Sequence, residues 1–278
     1  MQNNRKLLGH IYMTVFLLYL LIPLLVMSGA AFNNSKLPTV IPWKGFTDQW
    51  FIAMWNDNRI WGALRNTVLV AIAVVAIAVP VGTAGAILVN SVGGRIRGVL
   101  YGMMVAPILI PGVVIGISTL LFWNQFSVPS GLHLSVLGQV SYIASFVMLL
   151  VLARLQSFDQ GLEEAALDLG ATHAQVMRRI LLPHLYPALG AGAAIAFFQS
   201  IENFNVTLFT RGGYDTLTVY VFSKVRSGIT PTINALALLL ILFTLGFAIW
   251  YELNRRRQAS VEAAREAEGR RAADAELA

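Results

Sequence analysis

The sequence predicts an all-α polytopic membrane protein with six transmembrane helices and a cytoplasmic loop of helical pattern between the fourth and fifth. Three observations carry this. The 278-residue chain is 56% hydrophobic and only 12% charged, where soluble domains average roughly 25% charged. Its apolar residues gather into six runs, each near the ~20 residues a spanning helix needs. Its basic residues stand at the ends of those runs, where topology signals belong. The net charge of +6 is therefore not read as a nucleic-acid surface. The absence of cysteine excludes disulfides, zinc–thiolate sites and thiol catalysis.

The first span is placed at 11–29, behind a polar start with Arg5 and Lys6. Ser28-Gly29-Ala30 also fits a small-residue cleavage site, but the length of the run favours a retained helix. Residues 30–65 hold Trp43, Phe46, Trp50, Phe51, Trp55 and Trp61. This composition predicts an aromatic belt at the membrane boundary, with an interfacial helix in part of it. The second span, 66–89, contains Pro80, Gly82 and Gly85, which invite a kink and close helix contact. The third, 99–123, contains Pro107, Pro111 and the pair Gly112 and Gly116. It is expected as a bent helix with a small-residue packing face. A fourth span is placed at 135–153, a fifth at 188–207 and a sixth at 233–251, with a polar loop at 208–231. Residues 1–254 form the transmembrane domain, and 255–278 form a charged, alanine-rich tail. Pairs such as Glu266 and Arg270 permit a helix there, and disorder fits the composition equally.

Between the fourth and fifth spans lies a polar interlude, 159–187. Leu162, Ala165, Ala166 and Leu169 recur at helical spacing, with Glu163, Glu164 and Asp168 opposite. Asp159 stands at the N-cap position, and Gly170 suits a helix C-terminus. Thr172 and Gln175 read as a capping box for a second helix. Val176, Met177, Ile180 and Leu181 make its apolar face, and Pro183 and Pro187 are expected to stop it. The two helices are expected at right angles on the membrane surface. Periodicity alone fits an ordinary cytoplasmic loop as well.

Spacing is more specific. Glu164-Ala165-Ala166, then Gly170, then Ile180, Leu182 and Pro183 resemble the EAA loop of binding-protein-dependent ABC importer permeases. Met177 stands where such loops often carry phenylalanine. The stretches GFTDQW, AFFQSIENFNVTLFTRGG and GITPTINALA are similar to the spermidine/putrescine-type branch, and the similarity extends over most of residues 5–251. Family members often carry two adjacent acids where Glu202 and Asn203 stand, and a proline where Thr218 stands. The resemblance implies that Glu164, Ala165, Ala166, Gly170, Ile180, Leu182 and Pro183 couple to a cytoplasmic ABC ATPase dimer. It also implies a second homologous permease subunit, a periplasmic solute-binding protein, a bacterial inner-membrane location, and a polyamine or related small organic solute.

No Walker A sequence is present, so ATP hydrolysis is assigned to a partner chain. Neither HExxH nor GxSxG occurs. His10, His133, His173 and His184 are scattered without ligand spacing, and no metal or cofactor is expected. Glu202 is the informative acid, because ionisable groups at membrane depth are costly and usually face a polar cavity or a partner. It is read with Asn203 as lining a path for a cationic substrate. A structural hydrogen bond near the outer surface is the alternative. The competing class, an ion-coupled secondary transporter, would need several such groups, and only Glu202 qualifies.

With both termini cytoplasmic, the inner side holds Arg5, Lys6, Arg95, Arg97, Arg154, Arg178, Arg179 and Arg255 to Arg257. The outer side holds Lys36, Lys44, Arg59, Arg65, Arg211, Lys224 and Arg226. The short loops decide the orientation: 90–98 has two basic residues and 124–134 has none.

Overall fold

The computed structural model describes residues 2–228 and 230–276, with side chains described for 6–228, 230–258 and 260. In chain order its helices are α1 (Gln2–Phe32), α2 (Gln49–Trp55), α3 (Asn58–Ser91), α4 (Gly94–Leu109), α5 (Gly112–Asn124) and α6 (Leu132–Leu155). They continue as α7 (Gln160–Asp168), α8 (His173–Val176), a π-helical turn at Met177–Leu181, and α9 (Leu182–Ile201). Last come α10 (Asn205–Thr210), α11 (Leu217–Ser227) and α12 (Pro231–Glu276). Five of the described helical stretches are long and apolar enough to cross a membrane, and a sixth span exists if the bent pair α4–α5 counts as one. Contacts divide the chain into two compact units, residues 58–223 and residues 1–57 with 224–278.

The 58–223 unit is built on α3, α6 and α9. Val70, Val74 and Ala78 of α3 pack with Val147, Met148 and Val151 of α6 and Leu185 of α9 in one core. Small residues set the spacing. A methyl group at Gly82 would lie 2.5 Å from the Ala144 carbonyl oxygen, so α3 and α6 touch backbone to backbone. A methyl at Gly192 of α9 would lie 3.2 Å from the Val147 side chain. This is the close approach expected from Gly82.

The third span is not one bent helix. It breaks after Leu109, and α4 and α5 meet at 103°. Pro107 lies in the last turn of α4, and Pro111 is the N-cap of α5. Neither has an N–H to continue a helical ladder, so the chain turns at the pair. Ser145 of α6 donates to the Met104 carbonyl at 2.5 Å and steadies the end of α4. Gly112 and Gly116 do form a packing face. A methyl at Gly116 would lie 3.0 Å from the Val206 carbonyl oxygen, and one at Gly112 would lie 3.1 Å from Asn205 Cβ.

The fifth span also differs from expectation. Pro183 and Pro187 do not stop a helix: α8, the π-turn and α9 run on as one helical stretch, His173–Ile201. Pro183 follows the π-turn directly, as the second residue of α9. The extra residue of the π-turn re-registers the ladder ahead of it. At the other end, α9 stops at Ile201 rather than near 207, and the loop after it contains α10 and α11.

In the other unit, α1 passes unbroken through Ser28-Gly29-Ala30. Ala31 packs with Ala235 and Leu238 of α12, beside Phe32, Trp50 and Phe51. The 33–47 segment is a folded loop organised by buried Asn33. Its amide donates to the carbonyls of Thr39 and Pro42 and accepts from Lys44 N–H. Phe32 stacks on Phe46 and Phe51, and the Trp50 indole donates to the Asn33 carbonyl. Of the aromatic residues expected in a belt, Trp50 and Phe51 are half-buried against this loop, while Trp43, Phe46 and Trp55 stay exposed. The backbone of α12 continues as helix through Glu276. Ile229 within GITPTINALA, and the side chains of Glu266 and Arg270, lie outside the described residues.

Candidate functional site

Two places concentrate polar structure in the 58–223 unit. The first is the interlude. Asp159 caps α7, accepting from Gly161 N–H at 2.9 Å. Gly170 takes φ +84°. Ala171 N–H bonds the Ala166 carbonyl and Gly170 N–H bonds that of Leu167, a complete Schellman cap. The Thr172 hydroxyl accepts from Gln175 N–H while the Gln175 side chain accepts from Thr172 N–H, closing the capping box. The hairpin is thus locked by its own local chemistry.

Its base is held as well. The Arg154 Nε–H donates to the His184 carbonyl at 3.0 Å, and the His184 imidazole meets the Arg154 carbonyl at 3.2 Å. Phe158 packs edge-on against the His184 ring. The last turn of α6 and the first of α9 are clasped together. On α7, Leu169 is 90% exposed, Leu162, Glu164 and Ala165 are exposed, and Ala166 is half-buried. In the second helix Val176 is buried, and Met177, Ile180, Leu181 and Leu182 are half-buried, while Pro183 is exposed. Among the described residues, the apolar surface of the interlude left exposed is that of Leu162, Ala165 and Leu169.

The second place is the break between α9 and α10. Glu202 is the C-cap of α9, not an interior residue of a span. It is exposed, and its carboxylate makes no hydrogen bond or ion pair among the described residues. A cavity of about 400 Å³ opens here, lined by Glu202, Asn203, Asn205, Gln199 and Tyr142 among apolar residues that include Ile108. Asn203 has a different part. It is only 8% exposed, its amide donates to the Tyr142 hydroxyl at 2.5 Å, and its side-chain oxygen accepts from Val206 N–H. Its carbonyl accepts from the Thr218 hydroxyl at 3.3 Å. The residue shapes the break, and Glu202 is left as the free carboxylate at the cavity.

Behind the break runs a polar ladder. Ser135 bonds Thr210 at 2.9 Å. Gln139 accepts from the Ser200 hydroxyl at 2.6 Å and donates to the Thr207 hydroxyl at 2.9 Å. With Tyr142 these form an i, i+4, i+7 stripe on α6 facing α9 and α10. Sequence reading passed over Gln139, Tyr142, Gln199 and Asn205. The stripe of three polar residues inside an apolar run was the available signal.

A bundle of apolar helices carrying a capped surface hairpin and a polar cavity at a helix break has the architecture of a solute permease. Residues 78–260 match the family described as "Binding-protein-dependent transport system inner membrane component", and the chain belongs to that family. It is 29% identical over 246 residues to the spermidine/putrescine transport system permease protein PotC of Escherichia coli (strain K12), covering 88% of this chain and 92% of that one. It is 33% identical over 248 residues to the putrescine transport system permease protein PotI of the same strain, covering 85% and 87%. Among solved structures, a bacterial ABC transporter involved in import of the acidic polysaccharide alginate superposes with a TM-score of 0.72. That likeness spans 90% of this chain and 96% of the other at 13% identity, a likeness of fold. The chain is thus a permease subunit of an ABC importer, a transport component rather than an enzyme.

Proposed function

We propose that this subunit forms half of the pathway of an ATP-driven importer of polyamines or related small cationic solutes, and that it couples to a cytoplasmic ATPase dimer through residues 159–187. A second homologous permease supplies the other half, and a periplasmic binding protein delivers the solute. Both termini lie in the cytoplasm. Residues 1–254 act as the permease domain, with the 255–278 segment projecting inward.

One observation carries the coupling reading: α7 is capped at both ends and its leucines face outward. Ordering such a helix in advance lowers the entropic cost of docking it into a groove. Glu164, Ala165, Ala166 and Gly170 form the contact, with Ile180, Leu182 and Pro183 behind it. The substrate class is supported by the relatives' names and by Glu202, an unpaired carboxylate beside neutral amides and a phenol. That set suits an ammonium group with several hydrogen-bond donors.

The experiment is reconstitution with the ATPase and binding protein. Glu164→Arg should leave membrane insertion intact and abolish ATP-dependent uptake together with ATPase retention on the purified complex. Retention and uptake at the parental level would overturn the coupling role. Glu202→Gln should weaken uptake of cationic solutes while ATPase binding persists, and unchanged uptake of every cation tried would remove Glu202 from the path.

A further inference from the structure

We propose that Gln139 is the positioning residue of the pathway, a splint that bridges the break in the fifth span and holds Glu202 at the cavity. This rests on the reading of Glu202 as a path residue. A helix end within an apolar run leaves backbone groups without partners and frees the segment to move unless something grips it. Gln139 is fully buried, with 0% exposure. Its oxygen takes the hydroxyl of Ser200, two residues before Glu202 on α9. Its NH₂ reaches the hydroxyl of Thr207, on α10 beyond the break. One amide therefore spans both helical ends. An amide suits the task because it accepts from one hydroxyl and donates to the other in a fixed plane.

The neighbouring rungs do not duplicate it. Among the described residues the Ser135 hydroxyl bonds α10 alone, and the Tyr142 hydroxyl bonds Asn203 alone. Gly112 and Gly116 of α5 abut Asn205 and Val206, so the segment beyond the break also borders α5.

The chain has no cysteine, so a nitroxide on Glu202→Cys reports the segment alone in a transporter whose other chains are made cysteine-free. The label should show an immobilised spectral component in the parent and lose it in Gln139→Leu. Thr207→Val, which removes one arm of the splint, should lose part of it. Gln139→Glu should restore it, since a carboxylic acid, like the amide, can accept from Ser200 and donate to Thr207. A label on Arg95→Cys, in the first turn of α4, should not change. An unchanged Glu202→Cys spectrum in Gln139→Leu would overturn the proposal, as would an equal change at Arg95→Cys. If Gln139→Leu fails to assemble, Thr207→Val decides; failure of both to assemble assigns these bonds to folding and also overturns it. Uptake is measured separately with Glu202 intact. A loosened label with normal uptake leaves the splint standing and removes Glu202 from the path.

Discussion

Gly82→Ala tests the backbone contact on which the 58–223 unit is built. Two opposing effects can be sized. Replacing glycine by alanine within a helix is favourable by about 1 kcal/mol through chain entropy. Against this, the new methyl would lie 2.5 Å from the Ala144 carbonyl oxygen, 2.8 Å from Val147 Cβ and 2.9 Å from Met148 N. Ordinary contact begins at 3.4 Å, and two of the three obstructing atoms are backbone, so no rotamer change relieves them. Overpacking of this kind costs about 1–3 kcal/mol, and the rigid obstacle places Gly82 at the upper end. Gly62→Ala is the control, in the same helix with no atom within 4 Å of the new methyl. The two variants should therefore differ by about 3 kcal/mol, or on the order of 6–12 °C in melting temperature for a domain of this size. Gly85→Ala should fall between them, because its obstacle is the flexible end of Met104. The assay is thermal unfolding of the purified transporter followed by size-exclusion chromatography. A Gly82→Ala melting temperature equal to or above that of Gly62→Ala would refute the close-contact argument.

Two further outcomes are expected. Gly170→Ala meets no atom within 4 Å but must hold φ +84°, so it should weaken the end of α7 by about 1 kcal/mol. Gly170→Asn should weaken it less, as read by amide hydrogen exchange at Gly170 and Ala171 or their replacements. Arg154→Lys keeps the charge but lacks the Nε–H that meets the His184 carbonyl, so exchange across 177–184 should rise, and unchanged exchange would show that the clasp carries no load.

The legible parts of this protein were those with local causes. Asp159, Gly170, Thr172 and Gln175 act within a few residues of themselves, and each cap forms as its residue type requires. Gly112 and Gly116 identified a packing face without identifying what packs there. The errors came where local rules met a neighbour. Pro183 and Pro187 read as helix stops, yet the helix runs through both, with a π-turn directly ahead of Pro183. The end of α9 at Ile201 was hidden because apolar residues resume at Phe204, Val206 and Leu208, and side chains of α6, Asn203 and Thr218 satisfy the break. Asn203 was grouped with Glu202 because the two are adjacent in sequence; adjacency across a break sends one side chain to the cavity and the other to Tyr142.

The bonds to α6 have a mechanical consequence for α9. At one end the Arg154–His184 clasp joins the two helices. Midway, Gly192 packs on Val147. At the other end, Gln139 holds Ser200. A helix bound to its neighbour at three levels does not bend independently of it. A displacement entering at α7 must then either move α6 and α9 as one body, with α3 carried along through the Gly82 contact, or be absorbed before the clasp. The segment available to absorb it is the π-turn at Met177–Leu181, where the helical ladder already departs from its regular register. A change there that restores regular α-helix, such as deletion of Arg178, should shift the hairpin relative to the clasp while leaving the cavity end of α9 in place. Distances between spin labels on α7 and on α6 should change under that deletion, whereas distances between α6 and α10 should not; the opposite pattern would show that α9 bends within the membrane.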